Sequence, residues 1–537
     1  YGPRGGFTIG GGAVVNSTST SINRSHAFSQ FLLGYYDAGG ISSQPYGLLT
    51  GREWQFAGYA RDRWQVNSNL TLTLGFRYEY YPLMKRADRG IERVDFNTPP
   101  GTLFNVLIGG LGTTPENAGI EVQKGFITPR VGLAYRFKDD TVVRAGYGMT
   151  VDPLPLSRPF RGPYPLTLAT QFNGANAWTP FSTFAAGLPP VDAPDLSSGV
   201  IPLPPNVNVR TPPGGRIHRG YIQSWNFSIE RKLPLDFVGE ASYVGTQTTH
   251  QFSERDINAA APGGGEREGN AARPFFNRGY TTSLNYLDGW TSANYHGLQT
   301  SLNRRFSRGV FIKAAYTFSK AINYTDDNGP ASVLFNHVSV LDRNRALAGY
   351  DRTHNVQVGF SAELPFGAGK PWASEGIAGT ILGGWQVNGV ASAVSGTPFT
   401  VTANGASLDA PGNTQTADLV GDFKILGDIG SDKPWFDTTA FRPVTTQRFG
   451  TTGRNAFRGP GYGNIDLSLF RSFALPIISE KSTLQFRAEA FNITNTPRFD
   501  IPSANASATT FGTITTTLAT VGSGSERFFR FGLRFGF

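Results

Sequence analysis

The closing segment of the chain constrains its fold most. Phe529, Phe531, Leu533, Phe535 and Phe537 stand at alternate positions, with Arg530, Gly532 and Arg534 and Gly536 between them. Successive side chains of a β-strand point to opposite faces. One face of this strand is therefore wholly apolar, and the other carries only Arg and Gly. In water the Phe face needs a second protein layer. In a bilayer it meets hydrocarbon directly, while the Arg/Gly face lines a wet interior.

The same pattern recurs upstream. Leu70, Leu72, Leu74, Phe76, Tyr78 and Tyr80 alternate with Thr71, Thr73, Gly75, Arg77 and Glu79, a strict period of two that predicts a strand. Val131, Leu133, Tyr135 and Phe137 oppose Arg130, Gly132, Ala134 and Arg136, and Val143, Ala145, Tyr147 and Met149 oppose Arg144, Gly146 and Gly148. Further strand pairs are predicted over 219–233 and 237–247, 294–305 and 310–321, 353–364 and 384–396, and 462–473 and 483–494. Upstream, 54–64 reads as a strand, 5–15 as another, and Ala27–Tyr36 as a short helix or buried strand. The tally is about 14 strands.

Short connections near 65–69, 138–140, 233–236, 306–309 and 474–482 alternate with long ones near 82–125, 152–218, 248–293, 322–352, 397–461 and 495–526. The long ones are rich in Gly, Pro, Asn, Asp, Ser and Thr. Strict short/long alternation is the pattern of an all-β, antiparallel up-and-down transmembrane barrel of the outer-membrane type, with tight periplasmic turns and long external loops.

Composition agrees. Of 537 residues only 39% are hydrophobic, yet 13% are aromatic, with 41 Phe and 20 Tyr. Mean hydropathy is −0.23. No window offers the ~20 consecutive apolar residues of a spanning helix, and Gly376–Val394, the nearest, reads better as a strand. Closed barrels satisfy their backbone groups without such helices. There are no cysteines, which excludes disulfides, thiolate metal sites and a Cys nucleophile. The net charge of +9 fits an Arg-rich lumen and attraction to lipopolysaccharide phosphates. No basic run or recognition helix appears, so nucleic acid is not an expected partner. The chain opens on Tyr1 and shows no signal peptide, so a processed or truncated chain is expected.

Several stretches resemble those of TonB-dependent outer-membrane receptors. Gly58–Val66 (GYARDRWQV) followed by Leu70–Tyr80 resembles their YxQDxW…LTLNLGLRYE segment, and Ile127–Tyr135 resembles their PRxGxAY strand. Tyr295–Thr300, Tyr350–Asn355, Gly384–Gly389 and Arg487–Ile493 are similar to the long-looped Oar-like branch. The terminal Phe537 on an alternating strand resembles the carboxy-terminal insertion signal of bacterial outer-membrane barrels, which makes Phe529, Phe531, Leu533, Phe535 and Phe537 candidates for recognition by the barrel-assembly machinery. The resemblance implies residence in the outer membrane of a Gram-negative cell and uptake of a large solute energised by the TonB complex. It also implies a 22-stranded barrel with an amino-terminal plug. Residues 1–537 show no plug and no TonB box, so the chain is expected to be the C-terminal part of such a receptor barrel. A complete 14-strand passive channel, and a structural or adhesion barrel whose loops bind a partner, are the alternatives.

The lumen-facing charged candidates are Arg77, Glu79, Arg130, Arg136, Arg144, Arg487, Glu489, Arg530 and Arg534, with Glu240, Arg305, Glu363 and Asp466 beside them. They form either an ion-pair ladder holding the inner wall or a selectivity surface for an anionic solute. Trp54, Trp64, Tyr78, Tyr80, Tyr135, Tyr147, Trp225, Tyr243, Tyr316 and Trp385 read as interfacial girdles. Asp326–Gly329 reads as a polar turn rather than a Ca²⁺ loop. Asp351 and His354 have no matching Ser elbow, and no P-loop is present. No enzyme activity, cofactor or metal is expected.

Overall fold

The computed structural model describes residues 4–15, 23–46, 49–152, 155–174, 178–207, 209–262, 269–326, 333–475, 482–518 and 525–537. One large sheet dominates it. Thirteen strands follow one another in an unbroken antiparallel path, and two short strands join its margin, making fifteen. In chain order the path is β1 (Phe56–Gln65), β2 (Leu70–Tyr80), β3 (Phe126–Lys138), β4 (Thr141–Val151), β5 (Tyr221–Leu233), β6 (Phe237–Asp256), β7 (Leu284–Ser307), β8 (Val310–Asn323), β9 (His354–Glu363), β10 (Trp385–Val394), β11 (Tyr462–Ala474), β12 (Thr483–Phe491) and β13 (Phe528–Gly536). The expected transmembrane up-and-down barrel sheet is thus present.

Register carries the alternation across the sheet. Phe360, Gly389, Leu467, Ala490 and Phe529 form one row, and Ala362, Val387, Leu469, Ala488 and Phe531 form the next. The opposite face carries rows such as Ser361, Asn388, Ser468, Glu489 and Arg530. Among the described residues no protein layer covers the apolar face: Phe531 and Leu533 are 71% and 70% exposed. A continuous apolar sheet face of this extent requires a hydrocarbon solvent.

Aromatic residues recur along that face. Tyr147 pairs with Trp225 in the body of the sheet, and Trp64 pairs with Leu72 near the first short turn. Trp385 pairs with Arg471 at the other short-turn margin, where the Arg471 guanidinium lies 4.5 Å from the Phe473 ring centroid.

Three local differences from the sequence reading have physical reasons. Segment 5–15 contributes only Gly6–Thr8, in a separate three-stranded sheet with Ala38–Ser43 and Leu168–Asn173. It lacks the apolar alternation of a lipid-facing strand. Gly376–Leu382 is a helix, α2, and the strand begins only at Trp385; the indole N–H of Trp385 donates to the Ile381 carbonyl at 2.9 Å and closes the helix end. Strands β6 and β7 run for 20 and 24 residues, beyond the ~9–11 residues that span a bilayer. Their outer halves rise above the membrane as a ribbon, so the connection shrinks to 257–283. The ribbon bends at a bulge where His250 has φ 56°. Gly289 is required there, because a Cβ would lie 2.0 Å from the His218 carbonyl oxygen.

Arg24–Leu32 forms the helix α1, which resolves the ambiguity over Ala27–Tyr36. Asn23 caps it by accepting from the Ser25 and His26 amides.

Strand parity bears on closure. Twelve antiparallel steps separate β1 from β13, so the two edge strands run in the same direction. No pairing joins them among the described residues. Direct closure would create a parallel seam, whereas an antiparallel barrel requires an odd number of further strands between them.

Candidate functional site

The expected charged residues share one face, opposite the apolar rows. Arg77 and Glu79 are neighbours on β2 and pair at 3.1 Å. Arg144 on β4 reaches Glu230 on β5 at 3.3 Å. Arg530 on β13 pairs with its directly opposed Glu489 at 2.6 Å. Arg487 donates to Gln485 at 2.7 Å. Glu240 stands opposite Glu230, Glu363 pairs with Lys370 at 2.6 Å, and the Asp466 carboxylate accepts from the Asn492 amide at 2.7 Å. Arg305 lies beside the register irregularity at the β7–β8 turn. Part of the ladder therefore exists.

Arg130, Arg136 and Arg534 make no side-chain ion pair or hydrogen bond among the described residues. Around Arg130 the polar face is hollowed. Gly75 and Gly148 are its register partners on either side, and Gly132 faces Gly146 one row away. Of these, Gly75 and Gly132 line a trough of about 500 Å³ together with Tyr59, Arg61, Arg77 and Arg130. Glycine in a strand interior costs ~0.5–1 kcal/mol relative to Ala, and it marks a place where something approaches the backbone closely.

Above the sheet the six long connections fold into a cap with its own cores. Val94, Phe104, Ile108, Leu203, Tyr280 and Leu284 form one, drawn from connections that follow β2, β4 and β6. Phe399, Phe436, Phe441, Phe457 and Ile514 form another, from the connections after β10 and β12. Buried charges brace the connections, one within the β6–β7 hairpin and another between the β8–β9 and β10–β11 connections. Asp256 pairs with Arg273 at 3.2 Å and accepts from the Leu284 amide at 3.0 Å. Arg458 pairs with Asp351, whose other carboxylate oxygen accepts from the Ala321 amide at 2.6 Å.

His354 instead bonds Tyr316 at 2.9 Å, so Asp351 and His354 are not a dyad. Asp326 pairs with Arg454 at 2.7 Å; Asp327–Gly329 fall outside the described residues. His218 bonds Asp288 at 2.9 Å and stacks on His250 at 5.4 Å. Among the described residues no group of three or more His, Asp or Glu side chains is placed to hold a metal.

At the junction of barrel and cap, Arg219 pairs with Glu53 at 3.3 Å and lies 4.5 Å from the Tyr81 ring centroid. Burial pushes the Glu53 carboxyl up, against the pull of the Ser157 amide and of Arg219. Burial, then the Glu79 carboxylate, pushes the Tyr81 hydroxyl up to about 12, which keeps it a donor to Glu79 at 2.5 Å.

A two-faced antiparallel sheet with one lipid-compatible side, one polar side and a folded external cap defines a barrel of the bacterial outer membrane. A family model described as outer membrane beta barrel domain matches residues 1–530, and the chain belongs to that family. Its location is the cell outer membrane. No curated protein matches the sequence.

Among solved structures, the siderophore receptor PiuA of Acinetobacter baumannii is similar at 9% identity and TM-score 0.39, over 93% of this chain and 44% of that one. The FrpB iron transporter of Neisseria meningitidis follows at 11% and 0.40, over 91% and 46%. BauA, the ferric preacinetobactin receptor of Acinetobacter baumannii, stands at 12% and 0.40, over 93% and 44%. The chain spans less than half the length of these structures.

Proposed function

We propose that the chain is the C-terminal barrel portion of an outer-membrane receptor that takes up a large solute, energised by TonB in the full-length protein. The observation that carries this reading is the polar face. It runs unbroken over thirteen strands, is cleared by glycines, and holds cations without counter-charges beneath a folded cap. An inner wall of that kind suits contact with a mobile element or a passing solute. The parity of the edge strands supports a sheet completed by further strands. The likeness to TonB-dependent receptors in ordered segments from Gly58 to Ile493 supports the energy source.

In this reading Arg77, Glu79, Arg130, Arg136, Arg144, Arg487, Glu489, Arg530 and Arg534 line the lumen. Phe529, Phe531, Leu533, Phe535 and Phe537 form the insertion signal for the assembly machinery, and lipid and lipopolysaccharide surround the barrel.

A second reading, an adhesion barrel, draws on Leu419, Val420, Ile425 and Leu426, which stand exposed in the β10–β11 connection. Uptake separates the two. Cells lacking this protein and cells lacking TonB are compared for accumulation of a panel of siderophores, oligosaccharides and peptides. The proposal expects both strains to lose the same solute. Loss in neither strain, or loss only without this protein, contradicts it.

A further inference from the structure

We infer that the cap holds a binding site for a soluble oxyanion, a carboxylate- or phosphate-bearing solute, at Arg158 and Arg161. The inference rests on the reading of the cap as the receptor's outer surface and deepens it by naming the ligand chemistry.

The site is an open pocket of about 440 Å³, lined by Arg158, Arg161 and Arg210, with Gln44, Thr167 and Asn285 as polar neighbours. The residues come from four segments far apart in sequence. Among the described residues no carboxylate lines it. Arg210 is neutralised by Glu254 and held by the Pro159 carbonyl, which accepts from its Nη1 at 3.2 Å. Arg158 and Arg161 have no side-chain partner among the described residues.

Their backbone is fixed from beneath. Arg86, fully buried, pairs with Glu92 at 2.5 Å and donates to the Phe160 and Arg161 carbonyls at 2.6 and 3.0 Å and to the Thr50 carbonyl at 2.7 Å. Phe160 itself is fully buried beside Met84 and Ile91. The loop is thus pinned through Phe160 and Arg86, with the two exposed guanidiniums flanking the anchor.

Like charges lining one pocket repel, and the pinned backbone keeps both residues at its wall. An anion removes that cost. A guanidinium presents a fork of donors that matches carboxylate and phosphate oxygens in pairs, and the neighbouring hydroxyl and amides supply neutral hydrogen-bonding groups. The fixed backbone lowers the ordering cost of binding, which leaves the two Arg side chains to be ordered by the anion.

The test is calorimetric titration of the full chain in detergent with citrate and with inorganic pyrophosphate. Three forms are compared: the natural chain, Arg158→Gln/Arg161→Gln, and Arg158→Lys/Arg161→Lys. Thermal unfolding of each confirms that the fold is retained. The expected result is binding of at least one probe, weakened tenfold or more in the Gln form and less in the Lys form, which keeps charge but loses the fork. Binding by neither probe, or equal binding by the natural and Gln forms, overturns the site. A parallel arm uses vesicles containing lipid A. Arg-dependent binding of those vesicles with no binding of citrate or pyrophosphate overturns the soluble-solute assignment. Loss of this site leaves the TonB uptake comparison untouched, so the two readings fail separately.

Discussion

Arg454 bonds Asn323 across 131 residues of sequence, its Nη1 donating to the Asn323 carbonyl at 3.1 Å and to Oδ1 at 3.0 Å. Asn323 ends β8, and Arg454 belongs to the β10–β11 connection, so this contact fastens cap to barrel. The same guanidinium donates to the Asn344 carbonyl at 2.9 Å. Replacing Arg454 with Met strands buried acceptors and the Asp326 carboxylate. Asp326 is 40% exposed and water screens its charge, so a local loss of ~1–3 kcal/mol is expected, the range for leaving buried polar groups unsatisfied. Hydrogen exchange should show faster opening of 333–351 and 398–457, with β2 to β5 unchanged.

The aromatic core of the cap makes a second prediction. Phe436 is fully buried, with its ring 5.4 Å from Phe423, 5.5 Å from Phe441 and 5.3 Å from Phe511. Phe436→Ala should cost ~3–5 kcal/mol through transfer and cavity terms. Limited proteolysis should then cut the β10–β11 connection while the barrel strands stay protected.

The two faces of β11 should respond oppositely to charge. Leu469 lies in an apolar row between Val387 and Ala488, and Ser468 lies between Asn388 and Glu489 on the polar face. Leu469→Arg should lower stability in lipid vesicles by ~2–4 kcal/mol, the midplane cost of Arg on a barrel's lipid face. Ser468→Arg should change it little. Denaturant titration in vesicles reads both.

Acid should loosen the cap through Asp326. Burial raises its carboxyl, but the Gly349 amide and Arg454 outweigh burial and hold it below the usual carboxylate range. A depressed folded value stabilises the fold above the unfolded value of ~3.9, and that stability is lost as pH falls through the folded value. Protection of 346–351 should therefore hold from pH 7 to about 5 and drop below ~4. In Asp326→Asn it should be lower at neutral pH and flat across that window.

The barrel was legible because hydrocarbon selects apolar residues at every second position, as Leu70–Tyr80 and Phe529–Phe537 show. Where no hydrocarbon selects, the signal vanishes. The outer part of β6, Thr248 to Asp256, has no run of apolar residues at alternate positions and reads as a loop, though its ladder with β7 continues. The cap was illegible for a different reason. Its cores join residues such as Phe104 and Tyr280, 176 positions apart, and no local periodicity encodes that contact. Arg158 and Arg161 carried one weak sign, two cations flanking Pro-Phe without an acidic neighbour. Parity alone puts Arg77, Arg130 and Arg530 on the face opposite the apolar rows, but which arginines lack partners depends on register, and register is a three-dimensional property.

The central claim, that lipid wets the apolar face, is tested by its periodicity. The chain has no cysteine, so nitroxide labels go cleanly onto single Cys substitutions at each position from Leu484 to Ala490 in vesicle-embedded protein. Collision rates with oxygen, which concentrates in hydrocarbon, and with a water-soluble nickel chelate are then compared. The account predicts oxygen maxima at 484, 486, 488 and 490 and nickel maxima at 485, 487 and 489. Nickel access that is uniform along β12, or highest at the even positions, contradicts it.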